Sequence, residues 1–263
     1  MNTIKDAQRI VVKVGTSSLT HATGKVNIRM INRLAAALSD LHNAGREVAL
    51  VSSGALSVGV SKLGLAERPK DTPTRQAAAA VGQCELMFLY DKYFGECGNK
   101  VGQLLLTMDD FAHEQRRENL LNTFDRLFAL GAIPVINEND SVSTEEIEGL
   151  NFGDNDKLSG MVAQLVSADA LIMLTDIDGL YTANPNDDET AQLLPVIARV
   201  TDEILALGGD AGSARGTGGM FTKLQAAKLA TEAGIDTVIA NAAPENLYAL
   251  MDGRQIGTWF KRQ

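Results

Sequence analysis

Short apolar runs alternate along this chain with longer stretches whose apolar positions recur at helical spacing. Arg9–Val14 (RIVVKV) is β-branched and ends at Gly15, which predicts a buried parallel strand. Residues 28–42 are apolar at helical spacing and stop before Gly45, a residue suited to ending a helix. Glu47–Val51 (EVALV) predicts a second buried strand. Residues 74–94 predict a long helix rich in Ala, Gln and Leu, and Lys100–Leu106 a further strand. The pattern continues with a helix over 116–130, a strand over 133–136, a helix over 156–166 and a strand over 170–174. It closes with a helix over 220–233, a strand over 237–240 and a short strand at Thr258–Phe260. Residues 141–152 are polar, with acidic Glu145, Glu146 and Glu148, and predict an excursion over the surface. Residues 184–189 are turn-rich and 208–219 glycine-dense.

Strands and helices alternating in this way predict an α/β fold, a three-layer α/β/α sandwich with a mainly parallel central sheet. No internal repeat, low-complexity tract or linker breaks the pattern, so residues 1–263 read as a single domain. Composition leaves this picture intact. With 45% hydrophobic and 22% charged residues, the chain can build a core of ordinary size.

Charge narrows the partners. A formal net charge of −9 repels phosphate backbones and anionic lipid, which argues against nucleic acid and membrane surfaces. It leaves room for an anionic small molecule, because a local cluster of lysines and backbone N–H groups overrides the global sign. Cys84 and Cys97 have neither CxxC nor zinc spacing; no metal site is expected from them, and two reduced thiols suit a cytoplasmic setting. The polar N-terminus has no apolar core of a signal peptide, and no apolar stretch approaches the ~20 residues of a membrane span.

In open α/β sheets, ligands bind beyond the carboxyl ends of the strands. Gly15-Thr16-Ser17-Ser18, Ser52-Ser53-Gly54-Ala55, Asn137-Glu138-Asn139-Asp140 and Thr175-Asp176 occupy those places here. Glycine lets backbone N–H groups approach an anion, and helix N-termini favour phosphate. Neither a Walker A motif nor a GxGxxG fingerprint is present, which disfavours P-loop and dinucleotide readings. Lys13 lies inside the apolar first strand, where a buried ammonium needs a partner, and a phosphate would serve. Lys223 lies one turn into the helix that follows Gly216-Thr217-Gly218-Gly219-Met220, an arrangement suited to a triphosphate. Asp154-Asn155-Asp156 opens another helix, with more polar groups than capping requires. None of the three histidines, His21, His42 and His113, lies in a strand-end loop, so no histidine base is expected, which suits an acceptor that needs no deprotonation.

Taken together, VVKVGTSSLT (11–20), LVSSGALSVG (50–59), VGQLLLT (101–107), PVINENDSV (134–142), GDNDKLS (153–159), LTDIDGLYTANP (174–185) and GTGGMFTKLQAA (216–227) resemble the amino-acid kinase family. They occur in the family's order over nearly the whole chain. PVINENDSV with GDNDKLS points to the branch that phosphorylates the glutamate side chain in proline biosynthesis. The resemblance implies a transferase using ATP and Mg²⁺. It implies Lys13 and Lys223 on the phosphates, with Asp156 orienting both lysines. It implies Thr175, Asp176 and the run Thr217, Gly218, Gly219, Met220, Phe221, Thr222 and Lys223 on the nucleotide, and Ser53, Asp140 and Asn155 on L-glutamate.

It further implies feedback inhibition by L-proline, handover of the acyl phosphate to a glutamyl phosphate reductase, and a homodimer or homotetramer. Two departures are noted. Many bacterial members carry a C-terminal PUA domain, which is not expected in residues 1–263, and the segment between Asp140 and Asp154 is slightly longer than usual. The alternatives are another member of the family, acting on acetylglutamate, carbamate or aspartate, and a non-catalytic nucleotide or amino-acid sensor. The first loses on the NEND and GDND segments, the second on the presence of Lys13, Lys223 and Asp156.

Overall fold

The computed structural model describes residues 4–143, 155–185, 187–209 and 219–263. After a 3₁₀ turn at Ile4–Asp6 the chain runs through β1 (Arg9–Val14), α1 (Thr16–Leu19), α2 (Ile28–Asn43), β2 (Glu47–Val51), α3 (Ala55–Lys62) and α4 (Thr72–Glu96). There follow β3 (Lys100–Leu106), α5 (Met108–Ala112), α6 (Glu114–Ala129), β4 (Ala132–Glu138), α7 (Asn155–Leu165) and β5 (Ala170–Thr175). The chain ends with β6 (Val196–Ile197), α8 (Asp202–Ala206), α9 (Met220–Glu232), β7 (Asp236–Asn241), α10 (Glu245–Met251) and β8 (Thr258–Phe260). The α/β class with mainly parallel strands is as expected. The excursion expected at 141–152 lies, from residue 144 onward, outside the described residues.

The chain forms two compact units. One is continuous, Val14–Gly153; the other is split in sequence, Met1–Lys13 with Asp154–Gln263. In the continuous unit the strand order is β3-β4-β2, all parallel, with Leu50 opposite Val135 and Gln103 opposite Val135 on the other side. Central β4 is buried through Asn137, whereas edge strand β3 begins at exposed Lys100. A charged, partly exposed edge discourages further strand pairing. The core beneath these strands gathers Leu34 and Leu38 of α2, Tyr90 and Phe94 of α4, and Phe124 of α6.

Helix α3 was not predicted, because ALSVGVSK is rich in serine and has a mid-helix glycine. It forms because Gly54 takes the left-handed conformation (φ 94°) that turns the chain from strand into helix. It is then held by backbone-to-backbone contact with α4. A Cβ on Gly59 would lie 1.7 Å from the Ala78 carbonyl oxygen, and one on Gly82 would lie 1.8 Å from that of Ala55. Both obstacles are backbone, so a side chain fits only if the helices separate. Gly82→Ala is therefore expected to destabilise this unit by about 3 kcal/mol, read as a lower urea midpoint. An unchanged midpoint would show that the close approach contributes nothing.

In the split unit the strand order is β1-β5-β7-β8-β6. β5 and β7 are parallel, with Thr175 opposite Asn241; β8 runs antiparallel to β7, with Thr237 opposite Phe260. Every residue of β5 is buried, as a strand covered on both faces requires. The Asp169 carboxylate accepts from the backbone N–H groups of Gln8 and Arg9 at 2.8 Å each, fixing the start of β1 beside β5. The Thr258 hydroxyl accepts from the Leu180 N–H at 2.8 Å, which ties β8 to the loop leaving β5. Helices α7 and α9 pack closely because Gly160 faces the backbone of Ala226 without a side chain between. No helix among the described residues is long and apolar enough to cross a membrane.

Candidate active site

Lys13, the last residue of β1 within the split unit, is 3% exposed. Its aliphatic neighbours Val11 and Val12 are fully buried, so the strand carries an ammonium into an apolar setting. Burial of the ammonium suggests a phosphate as its partner, and the family resemblance implies Asp156 beside it; the structure holds that carboxylate against it. Lys13 Nζ is 2.5 Å from Asp156 Oδ1, and Lys223 Nζ is 3.0 Å from Asp156 Oδ2. The Thr222 hydroxyl donates to the same Oδ2 at 2.9 Å.

Each element contributes through its end. Asp156 is in the first turn of α7, where the helix dipole favours a negative charge. Its backbone carbonyl accepts from Ser159 Oγ at 2.6 Å. Thr222 and Lys223 are in the first turn of α9, and the packing of α7 on α9 brings the two helix starts together. Asp156 is completely buried. Burial alone would raise its pKa, but the charges of Lys13 and Lys223 and their hydrogen bonds outweigh burial and lower it to about 2. The three side chains thus hold two positive charges and one negative. Two ammonium groups sharing one carboxylate are an arrangement suited to an anion.

Thr175 ends β5 with 5% exposure, and its hydroxyl donates to Asp176 Oδ1 at 3.0 Å; the Asp176 side chain reaches solvent. The Thr175 carbonyl accepts from Ala242 N–H at 2.7 Å, so the turn after β7 lies against this strand end. Sequence reasoning did not single out Asn241 and Ala242; the only signal was a polar residue closing the apolar strand. Gly219 is the exposed N-cap of α9, and Met220 and Phe221 are half-buried in its first turn. Asn155 opens α7 next to Asp156. Thr217, Gly218 and Asp154 lie outside the described residues.

The continuous unit carries Ser53 and Asp140. Ser53 follows β2, is 6% exposed and precedes the left-handed Gly54 that starts α3. Asp140 is half-buried in the turn after β4, where Val142 and Ser143 donate backbone N–H groups to the Asn139 carbonyl. The ends of β2 and β4 are adjacent, with Ser52 N–H donating to the Ile136 carbonyl at 2.8 Å. Ser52 and Asn137, read from sequence as members of these strand-end loops, meet two residues of α4 that were not singled out, Tyr90 and Gln83. Asn137 is 2% exposed; its Nδ2 donates to Gln83 Oε1 at 2.8 Å and its Oδ1 accepts from Glu138 N–H at 2.9 Å. The hydroxyls of Ser52 and Tyr90 are 2.8 Å apart. Gln83 and Tyr90 sit seven residues apart on α4, and that spacing is the signal that could have found them.

Among the described residues, no group of three or more His, Cys, Asp or Glu side chains is placed to hold a metal ion. Both oxygens of Asp156 already face lysines, so it is not free to ligate one. Mg²⁺ prefers octahedral oxygen ligands and keeps several waters. A site of this kind fits Mg²⁺ that arrives on the phosphate oxygens of a nucleotide.

The model of the amino acid kinase family matches residues 8–241. A glutamate 5-kinase from Clostridium perfringens is 52% identical over 98% of this chain and 96% of its own length. One from Listeria monocytogenes serotype 4a is 50% identical over 98% and 94%. One from Carboxydothermus hydrogenoformans is 50% identical over 98% of this chain and 68% of its own length. Among solved structures, the isopentenyl phosphate kinase of T. acidophilum superposes with a TM-score of 0.65 at 18% identity, covering 96% of this chain and 100% of that one. The UMP kinase of Bacillus anthracis superposes with a TM-score of 0.63 at 15% identity, covering 98% and 97%. These two establish the fold alone. With a family match over most of its length and relatives identical at half of their positions, the chain belongs to the amino acid kinase family.

Proposed function

We propose that the chain transfers the γ-phosphoryl group of ATP to the side-chain carboxylate of L-glutamate, giving ADP and L-glutamyl 5-phosphate, the glutamate 5-kinase reaction. The relatives at 50–52% identity carry that name. The observation that carries the chemistry is the buried Lys13–Asp156–Lys223 cluster, whose surplus positive charge suits a triphosphate.

A glutamate side chain, with a pKa of about 4.3, is ionised at neutral pH. Its oxygen attacks the γ-phosphorus directly, forming one P–O bond while the bond to the β-phosphate oxygen breaks and ADP leaves. No histidine base is needed. What the protein supplies is position and neutralisation of charge. Lys13 and Lys223 hold the phosphate oxygens, and Asp156 keeps both ammonium groups charged and aimed. Thr175, Asp176 and the first turn of α9 bind the nucleotide, together with Thr217 and Gly218. Asp140 pairs with the α-ammonium of glutamate, while Asn155 and the Ser53 loop donate to its carboxylates. Mg²⁺ arriving with the nucleotide would add positive charge to that of Lys13 and Lys223.

The test is ATP turnover with Mg²⁺ and, in turn, glutamate, aspartate, acetylglutamate, carbamate and UMP. ADP release is measured throughout, and acyl phosphate is trapped with hydroxylamine. Hydroxamate formation with glutamate, at least about a hundredfold above the other acceptors, is expected. Turnover with a different acceptor alone would replace the substrate, and silence with all five would favour a sensor. A further arm adds L-proline, the feedback inhibitor that the family resemblance implies.

A further inference from the structure

Helix α4 carries three polar side chains at intervals of seven residues: Gln76, Gln83 and Tyr90. Seven residues are nearly two turns, so all three share one face. Each meets a group at or beyond the end of β2 or β4. Gln76 Nε2 donates to the Ser143 carbonyl at 3.4 Å, Gln83 accepts from Asn137 Nδ2 at 2.8 Å, and Tyr90 pairs with Ser52 at 2.8 Å. Ser143 in turn donates to Glu138 Oε1 at 2.6 Å, so the turn holding Asp140 is fastened at both ends. Tyr90 is fully buried beneath these loops. Burial raises its pKa, against the Ser52 hydrogen bond that lowers it, so the hydroxyl keeps its proton. A helix whose only task was packing would place apolar side chains on this face. The backbone contact of α4 with α3 at Gly59 and Gly82 fixes where the stripe lies along the strand ends.

We infer that the Gln76–Gln83–Tyr90 stripe of α4 positions the Ser52-Ser53 and Asn137–Asp140 segments for the acceptor, so that these side chains set affinity for glutamate without touching it. The inference rests on the proposed glutamate kinase activity. Tyr90 acts through Ser52, whose neighbour Ser53 is the proposed glutamate ligand; Gln83 acts through Asn137.

Tyr90→Phe removes one hydroxyl and keeps the ring. It is expected to raise KM for glutamate about five- to tenfold, with KM for ATP and kcat changed less than about twofold. Ser52→Ala is expected to do the same, and the double variant no more than either alone, because both break one contact. Gln83→Met, which takes the acceptor from Asn137, is the second probe and should also move KM for glutamate selectively. A purely structural role would lower the urea midpoint and either leave both KM values in place or shift them together, and that result overturns the inference. Additive effects of Tyr90→Phe and Ser52→Ala would overturn it as well. The wild-type chain is assayed alongside. A wild type without glutamate turnover overturns the proposed function and this inference with it, whereas an active wild type with unmoved variants overturns the inference alone.

Discussion

Replacing Lys13 with methionine is expected to lower kcat for glutamate-dependent phosphoryl transfer by about a thousandfold, with KM for glutamate changed less than about threefold. Methionine keeps the length and apolar stem of lysine and removes only the charge. In the folded chain Lys13 is buried against Asp156 Oδ1 at 2.5 Å, so its ammonium is already in place and needs no reorganisation to meet a phosphate. Preorganised charges aimed at the transition state are worth a factor of about 10²–10³ each when removed. A thousandfold corresponds to about 4 kcal/mol of barrier. The variant should fold, because Asp156 keeps Lys223 at 3.0 Å and the remaining pair is neutral. Steady-state kinetics beside a urea titration checks both halves of this expectation. A kcat within tenfold of wild type would remove Lys13 from the chemistry.

Asp156→Asn is expected to act on both stability and turnover. The substitution leaves two ammonium groups, 4% and 7% exposed, without their shared counter-charge. Removing one partner of a buried ion pair costs about 3–5 kcal/mol, and a loss of that size is expected at pH 7. Turnover should fall about a hundredfold, because the carboxylate that keeps the lysines charged and aimed is gone. The pH dependence has a definite sign. The folded pKa of Asp156 is lowered to about 2, below the unfolded value of about 3.9. Its stabilisation is therefore present in full above pH ~4 and is lost as pH falls through about 2. Urea midpoints of wild type and variant should differ by a constant amount between pH 7 and 5 and converge below about pH 4. A difference that persists unchanged to pH 2.5 would show that the ionised carboxylate is not the source.

The parts of the fold visible in the sequence are those where local pattern and tertiary position agree. RIVVKV, EVALV and ALIML are strands because continuous apolar runs suit sheets covered on both faces, and β1, β2 and β5 run as expected within one residue. Helices α5, α8 and α10 went unread because five to seven residues hold too few turns to show a period. The antiparallel pairing of β8 with β7 was equally invisible, since strand direction depends on where the chain returns. At the site, residue types were legible, and the family resemblance implied that Asp156 orients both lysines; the packing that brings them together was not legible. An ammonium inside an apolar strand announced that Lys13 needs a partner, but Asp156 and Lys223 reach it from distant parts of the sequence through the packing of α7 on α9. Gln83 and Tyr90 were hidden for another reason: in a helix rich in alanine and leucine, isolated polar residues look like an ordinary surface face.

The split of one unit around the other has a consequence during synthesis. β1 leaves the ribosome early, but its neighbour β5 is complete only at Thr175, about 160 residues later. At roughly 5–20 residues per second, the nascent chain carries RIVVKV for on the order of ten seconds or more before that partner exists. Until then the edge of β1 that will receive β5 is open, and an open apolar edge is a template for pairing with another chain. The continuous unit has all its residues by Gly153 and can condense in the meantime. That edge stays open to aggregation until the chain has grown to residue 175, and the charge of Lys13 interrupts the apolar run that carries it.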